Sequence, residues 1–283
     1  MTMKIVHSDA KRRKNIIRLG FVLIALIPVF LIIFFVGKSY SAPEVQVKNA
    51  KKNFTERKEA VPIQVDTQFD THKRAVENPN RKVVYLTFDD GPSKLTDQFL
   101  DVLREEKVKA TFFMQGSNLK KEHLQESVKR ATKEGHYIGA HSMTHEFQTL
   151  YKENQFVPEM EETLTLIGDI TGTTPNLVRP PYGSAPGLYG EQIRNEIVNS
   201  GIKVWDWTID SNDWTFKNNP YQIITNIISG TNTDKEVVLM HELPQTLAAL
   251  PEIIAFYKEQ GYEFVVYDEA NHFELNFQND GRL

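Results

Sequence analysis

The chain contains no cysteine. Disulfides, thiolate-bound metals and a cysteine nucleophile are therefore excluded together, and any transition-metal site must be built from His, Asp and Glu. Positive charge is not in excess either. With 33 Lys and Arg against 37 Asp and Glu, the net charge is -4, which gives no basic field able to neutralise many phosphates and argues against a nucleic-acid partner. Internal repeats and low-complexity tracts are also missing, which leaves out solenoids and fibrous arrays. The 283 residues, 40% hydrophobic and 25% charged, are enough for one sizeable core of up to roughly 250 residues.

A long hydrophobic run occurs once. Leu19 to Val36 is uncharged and as a helix would span roughly 27 Å, close to the thickness of a bilayer core. Lys11, Arg12, Arg13, Lys14 and Arg18 precede it, and only Lys38 follows closely. The positive-inside rule then keeps residues 1–18 in the cytoplasm and places the remainder outside the membrane, as a single-pass anchored protein. A cleaved signal peptide, with Ser39-Tyr40-Ser41-Ala42 as its small-residue site, is the other reading. The run exceeds the usual apolar core of about 7–15 residues, which favours the anchor.

From residue 37 to about residue 80 the composition turns polar, broken by Pro43, Pro62 and Pro79, as expected for a stalk or linker. Within it Val61, Ile63 and Val65 alternate, a weak signal for a short docking strand. After Arg81 short apolar strands alternate with helical segments. Strands are expected at Val83–Phe88, Ala110–Met114, Tyr137–Ala140, Lys203–Trp207, Val237–Met240 and Phe264–Tyr267. Helices are expected at Thr96–Glu106, Glu122–Glu134, Glu159–Thr171, Leu188–Ser200, Pro220–Ser229 and Pro244–Gln260. This alternation points to an α/β fold with a parallel sheet, open or closed into a barrel. The domain runs over residues 81–268, and residues 269–283 read as a tail.

The chemistry-bearing residues fall where such strands end. Asp89 and Asp90 close the first strand, Arg179–Gly183 sits where another would end, and His241 closes Val237–Met240. In parallel α/β folds these carboxyl ends gather on one face, where sites form. His141 and His145 have the H-x-x-x-H spacing that, on a helix, lets two imidazoles reach one ion. Asp90 would add a carboxylate and leave coordination positions open for water and substrate. A turn carrying solvated acids is the plainer account of Asp89-Asp90-Gly91-Pro92, and it explains one Asp better than two. The prolines of Arg179-Pro180-Pro181-Tyr182-Gly183 make a rigid loop that presents Arg179 to a carboxylate and the Tyr182 N–H to a developing oxyanion, or simply a turn. Asp210-Ser211-Asn212-Asp213-Trp214 sets acids beside an indole, which suits a sugar ring or an ordinary half-buried Trp. His241 after Leu239-Met240 is a general acid or a satisfied edge residue.

Taken together and in order, TFDDG, HSMTH, RPPYG, DSNDW and LMH resemble the polysaccharide deacetylases with a NodB-homology domain, carbohydrate esterase family 4. More narrowly, they resemble the membrane-anchored peptidoglycan N-acetylglucosamine deacetylases of that family. The resemblance spans Arg81 to Asp268. It implies a distorted (β/α) barrel with fewer than eight units. It also implies that Asp89 is the catalytic base, that Asp90, His141 and His145 bind a divalent metal, and that Arg179 positions the base. The Tyr182 amide would form part of the oxyanion hole, Asp213 would tune His241 as general acid, and Trp214 and Leu239 would line the groove for the acetyl methyl. Ser142 would steady the metal loop.

The implied metal is zinc, with cobalt or nickel compatible with the same ligands. The implied substrate is cell-wall glycan. Chitin oligomers, N-acetylmuramic residues and acetylated xylan are alternatives, as is a catalytically idle glycan-binding relative. The DSNDW segment is intact, whereas the muramic-acid branch alters it, and no implied ligand or acid is lost.

Overall fold

The computed structural model describes residues 81–283. The basic segment 1–18, the apolar run 19–36 and the stalk 37–80 lie outside them, and among the described residues no helix is long and apolar enough to cross a membrane. The chain alternates β1 (Val83–Gly91), α1 (Thr96–Glu105), β2 (Thr111–Met114), α2 (Gly116–Leu119), α3 (Glu122–Lys133) and β3 (Tyr137–Ala140). A π-helical turn at Gln148–Lys152 leads to α4 (Phe156–Thr171), β4 (Leu177–Val178), α5 (Glu191–Ser200), β5 (Lys203–Val204) and β6 (Ile209–Asp210). Then come α6 (Pro220–Gly230), β7 (Lys235–His241), α7 (Pro244–Glu259) and β8 (Glu263–Phe264).

All ladders are parallel, in the order β5-β4-β3-β2-β1-β7-β6, with β8 paired to the start of β1. No ladder joins β5 to β6 among the described residues. The result is a half-barrel of the α/β class, in keeping with the distorted barrel expected. Units number fewer than eight because β5 passes into β6 with no helix between them.

Strand alternation sorts the side chains. From β1, Val84, Leu86 and Phe88 join Phe112, Met114, Val238 and Met240 in the core beneath the helices. Phe88 is fully buried with ring centroids 5.0 Å from Phe99 and 5.2 Å from Phe112, a burial contributing about 1.5–3 kcal/mol. The other set, Tyr85, Thr87 and Asp89, faces inward. There Phe113, Leu177, Trp205, Val237 and Tyr267 make a second core.

Several boundaries differ from expectation. The first helical turn of α4 includes Phe156 and Pro158, since proline is tolerated where no intrahelical N–H bond is needed. Residues 188–190 are not helical, because Leu188 N–H closes a turn onto the Ser184 carbonyl and Gly190 is extended. Of the last expected strand, Phe264–Tyr267, only Phe264 lies in β8, which begins one residue earlier at Glu263. The segment read as a tail packs onto the domain. The Phe273 ring packs tilted against Trp205 with centroids 4.6 Å apart, Leu275 bridges to Trp205, and Leu283 is buried.

Candidate active site

Consecutive residues on a strand point to opposite faces, so two adjacent carboxylates need a break in the strand to share one cavity. Asp90 supplies that break. Its φ is +67°, and the β1–β2 register slips between Asp89 and Gly91, as at a bulge that re-aims a side chain. Asp89 stays in register opposite His241 on β7 and is 2% exposed, whereas the Asp90 side chain is 45% exposed.

Arg179 follows β4 and is wholly buried. Its Nη1 donates to Asp89 Oδ1 at 2.9 Å and to Thr87 Oγ1 at 2.7 Å. Nε and Nη2 donate to the carbonyls of Trp205 and Asp206, and the guanidinium lies 4.2 Å from the Phe113 ring centroid. Every polar edge of the cation is used, as a buried charge requires. Asp89 Oδ1 is thereby held, and Oδ2 lies 3.7 Å from His141 Nε2.

The histidine pair is not on a helix, contrary to the spacing argument. His141 to His145 form an irregular loop after β3, with Ser142 at φ +61° and His145 at φ +61°. These two reversals bring the rings together, with centroids 5.0 Å apart. Ser142 Oγ accepts the His145 N–H at 2.9 Å. His141 Nδ1 lies 2.8 Å from the Arg179 carbonyl. Donation there turns the Nε2 lone pair toward the cavity. Burial, reinforced by the nearby His141, lowers the pKa of His145 and favours the neutral ring that a metal takes. One donor atom each from Asp90, His141 and His145 lies within 4.8 Å of the others. Two neutral imidazoles and one carboxylate fit a divalent transition metal such as zinc.

Across the cavity, Asp213 is fully buried and its Oδ1 lies 2.7 Å from His241 Nδ1. Burial alone would lower the pKa of His241. The hydrogen bond and charge of Asp213, with Asp89 and Asp90 beyond, outweigh it and raise the value to about 9. Nε2 is left for the cavity. Tyr182 has φ +68°, its hydroxyl donates to the His145 carbonyl at 2.9 Å, and its N–H has no partner among the described residues.

A cavity of about 500 Å³ receives Asp89, Asp90, His141, His145, Tyr182, Trp214, Leu239 and His241 on its walls. Of the eleven residues given roles in the sequence, Arg179, Asp213 and Ser142 stand behind it, each bonded to a residue that lines it. Residues not anticipated also matter. Thr87 caps the Arg179 guanidinium, Thr246 donates to Asp213 Oδ2 at 2.6 Å, and Trp207 and Glu242 line the cavity. Glu159 Oε2 accepts the N–H groups of Met143 and Thr144 and so braces the histidine loop. Thr87 opens the TFDDG motif without having been given a role, whereas Glu159 carried no local signal of this contact.

The family model for polysaccharide deacetylases matches residues 76–223. A peptidoglycan-N-acetylglucosamine deacetylase of Bacillus cereus is 50% identical over 209 residues, covering 72% of this chain and 76% of its own length. Another, from Listeria monocytogenes, is 38% identical over 192 residues, covering 66% of this chain and 38% of its own. A solved polysaccharide deacetylase from Bacillus cereus superposes with a TM-score of 0.69 at 49% identity, covering 72% of this chain and 100% of that one. A matched family model, close relatives and a shared fold agree with the geometry of the cavity, and the chain belongs to the polysaccharide deacetylase family.

Proposed function

We propose that this chain removes the acetyl group from N-acetylglucosamine residues of cell-wall peptidoglycan, releasing acetate and leaving a free amine on the sugar. The observation that carries the reading is the division of labour between adjacent carboxylates. Asp89 is clamped by Arg179 and faces His241, while Asp90 turns aside to the two histidines. The 50% identity to a relative named for this substrate supports the choice of sugar.

Asp90, His141 and His145 would hold the metal, zinc by preference and cobalt or nickel by the same donor chemistry. When bound, it supplies Lewis-acid polarisation of the amide carbonyl and acidifies water. Asp89 accepts the proton of the attacking water at Oδ2, since Oδ1 is occupied by Arg179. The Tyr182 N–H faces the oxyanion that develops as the carbonyl becomes tetrahedral. His241 gives the proton on Nε2 to the leaving nitrogen, and Asp213 stabilises the charged ring until that moment. Leu239 and Trp214 give the acetyl methyl an apolar wall.

The apolar run at Leu19–Val36, with its basic flank, supports placing this reaction outside the cell membrane on a single anchor, or in the secreted form if the run is cleaved. The test is zinc-dependent acetate release from purified wall glycan by the full chain, with Asp90→Ala as control and the deacetylated sugar identified. Acetate from muramic residues only would sink the substrate assignment. Glycan binding with no acetate release under zinc, cobalt or nickel would support the catalytically idle alternative.

A further inference from the structure

The segment 275–278 is fixed against the loop that carries Tyr182. The Asp206 N–H donates to the Leu275 carbonyl at 2.7 Å, and the Phe277 N–H donates to Asp206 Oδ2 at 2.7 Å and to Ser184 Oγ at 3.0 Å. Gln278 Nε2 donates to the Ser184 carbonyl at 2.8 Å. Asp206 and Ser184 are both fully buried. This backbone is therefore held by satisfied polar groups, yet it presents a phenylalanine that is 43% exposed. A rigidly mounted aromatic ring is preorganised for a ligand face where it adjoins a ligand cavity.

The ring is continuous with the catalytic cavity. Phe277 meets Trp207 edge to face, with centroids 5.0 Å apart and planes at 88°, and Trp207 lines that cavity. Gly183 permits the contact. A Cβ there would lie 3.0 Å from Phe277 and 3.1 Å from Trp207, and its φ is +79°, so only glycine lets the pair close over the loop without strain. The surface thus runs from Trp214 and Tyr182 at the reacting end, through Trp207, to Phe277 at the C-terminal segment.

We propose that Phe277, with Trp207, forms a further sugar subsite for a unit of the same glycan chain that lies beyond the acetylated residue being cleaved. It rests on the glycan reading above. The face of a pyranose ring is apolar and its rim is polar, which suits contact with the exposed Phe277 ring and the half-buried Trp207 beside it. No acidic or basic side chain is needed for it. The subsite makes longer glycans better substrates than short ones.

The test compares disaccharide and hexasaccharide N-acetylglucosamine oligomers on the full zinc-loaded chain, for the wild type, Phe277→Ala and Phe277→Tyr. Acetate release gives kcat and KM, and quenching of tryptophan fluorescence gives binding separately. In Phe277→Ala, KM for the hexamer rises about three- to tenfold with the change falling on KM and not kcat, and the preference for length collapses. Phe277→Tyr, which keeps a ring, restores it. Equal losses on both lengths with a lowered melting temperature would make Phe277 structural and overturn the subsite, as would an unaltered length preference in an active enzyme. Hexamer binding weakened by Phe277→Ala, without acetate release by the wild type, would keep the subsite and reject the deacetylase reading. Absence of both binding and release would reject both.

Discussion

Asp213 grips His241 twice: Oδ1 lies 2.7 Å from the ring Nδ1, and Oδ2 accepts the backbone N–H at 2.7 Å. Thr246, in the first turn of α7, adds a third donor to the same carboxylate. The ring is thereby fixed in one orientation and its pKa is raised from 6.5 to about 9. As the folded value lies above the unfolded one, the contribution of this pair to stability is complete below 6.5 and is lost as the pH climbs through about 9. In the proposed mechanism turnover needs the protonated ring, so its alkaline limb is expected near 9 as well. In Asp213→Asn that limb moves to lower pH and kcat drops by about 10²–10⁴. A pH–rate profile with an unmoved limb would show that Asp213 does not tune the acid.

Arg179 and Asp89 are not equivalent partners of their ion pair. Removing the cation in Arg179→Met leaves a buried carboxylate without its counter-charge and costs about 3–5 kcal/mol of stability. Removing the carboxylate charge in Asp89→Asn leaves Arg179 donating to Thr87, Trp205 and Asp206, so the loss of stability is smaller. The loss of activity is expected to run the other way, because Asp89→Asn removes the proposed base and costs about 10²–10⁴ in kcat. Urea unfolding beside steady-state kinetics separates the two. Equal destabilisation would contradict the accounting of Arg179's partners.

The loop that carries His141 and His145 depends on a residue that touches neither imidazole nor Asp90. Glu159 holds the N–H groups of Met143 and Thr144 and the Thr144 hydroxyl, and these lie between the two histidines. Glu159→Ala therefore weakens zinc affinity by about 10–100-fold with all three ligands intact. Zinc titration against a competing chelator measures it. Chelation of the wild type is expected to abolish acetate release and to lower the melting temperature, because the three proposed ligands come together only in the folded chain; zinc, cobalt or nickel is expected to restore both.

The strands and the location of the site were legible from the pattern of apolar runs, whereas the roles of its residues came from the family resemblance. Asp89, Arg179 and His241 sit at or just beyond the ends of short apolar runs, and parallel strands bring such ends to one face. The bulge at Asp90 was not legible, because a φ of +67° leaves no mark in a sequence where glycine follows one residue later. The histidine loop was misread as helical because spacing alone does not distinguish one helical turn from two left-handed residues. Glu159, Thr246 and the 275–278 segment act across 15 to 94 residues of chain, and side-chain bonds at such separations follow no local period. The C-terminal residues looked like a tail for the same reason: Phe273 and Leu275 find their partner, Trp205, only once the sheet has curled.

Gly91 is required for a steric reason that its backbone does not show. A Cβ at this position would lie 2.2 Å from Glu242 Oε1. Glu242 cannot move away cheaply, since Oε2 accepts the Ser93 N–H at 3.1 Å, the Ser93 hydroxyl at 2.6 Å and the Thr96 hydroxyl at 2.5 Å. Gly91→Ala must displace the glutamate and strand those donors beside the turn that aims Asp90, at a cost of about 1–3 kcal/mol. Shortening the obstacle relieves the clash, so Gly91→Ala combined with Glu242→Ala is less destabilised than the sum of the two single variants. A double-mutant cycle in urea, read with zinc affinity, checks this. Strict additivity would mean that the glycine is needed for something other than room for Glu242.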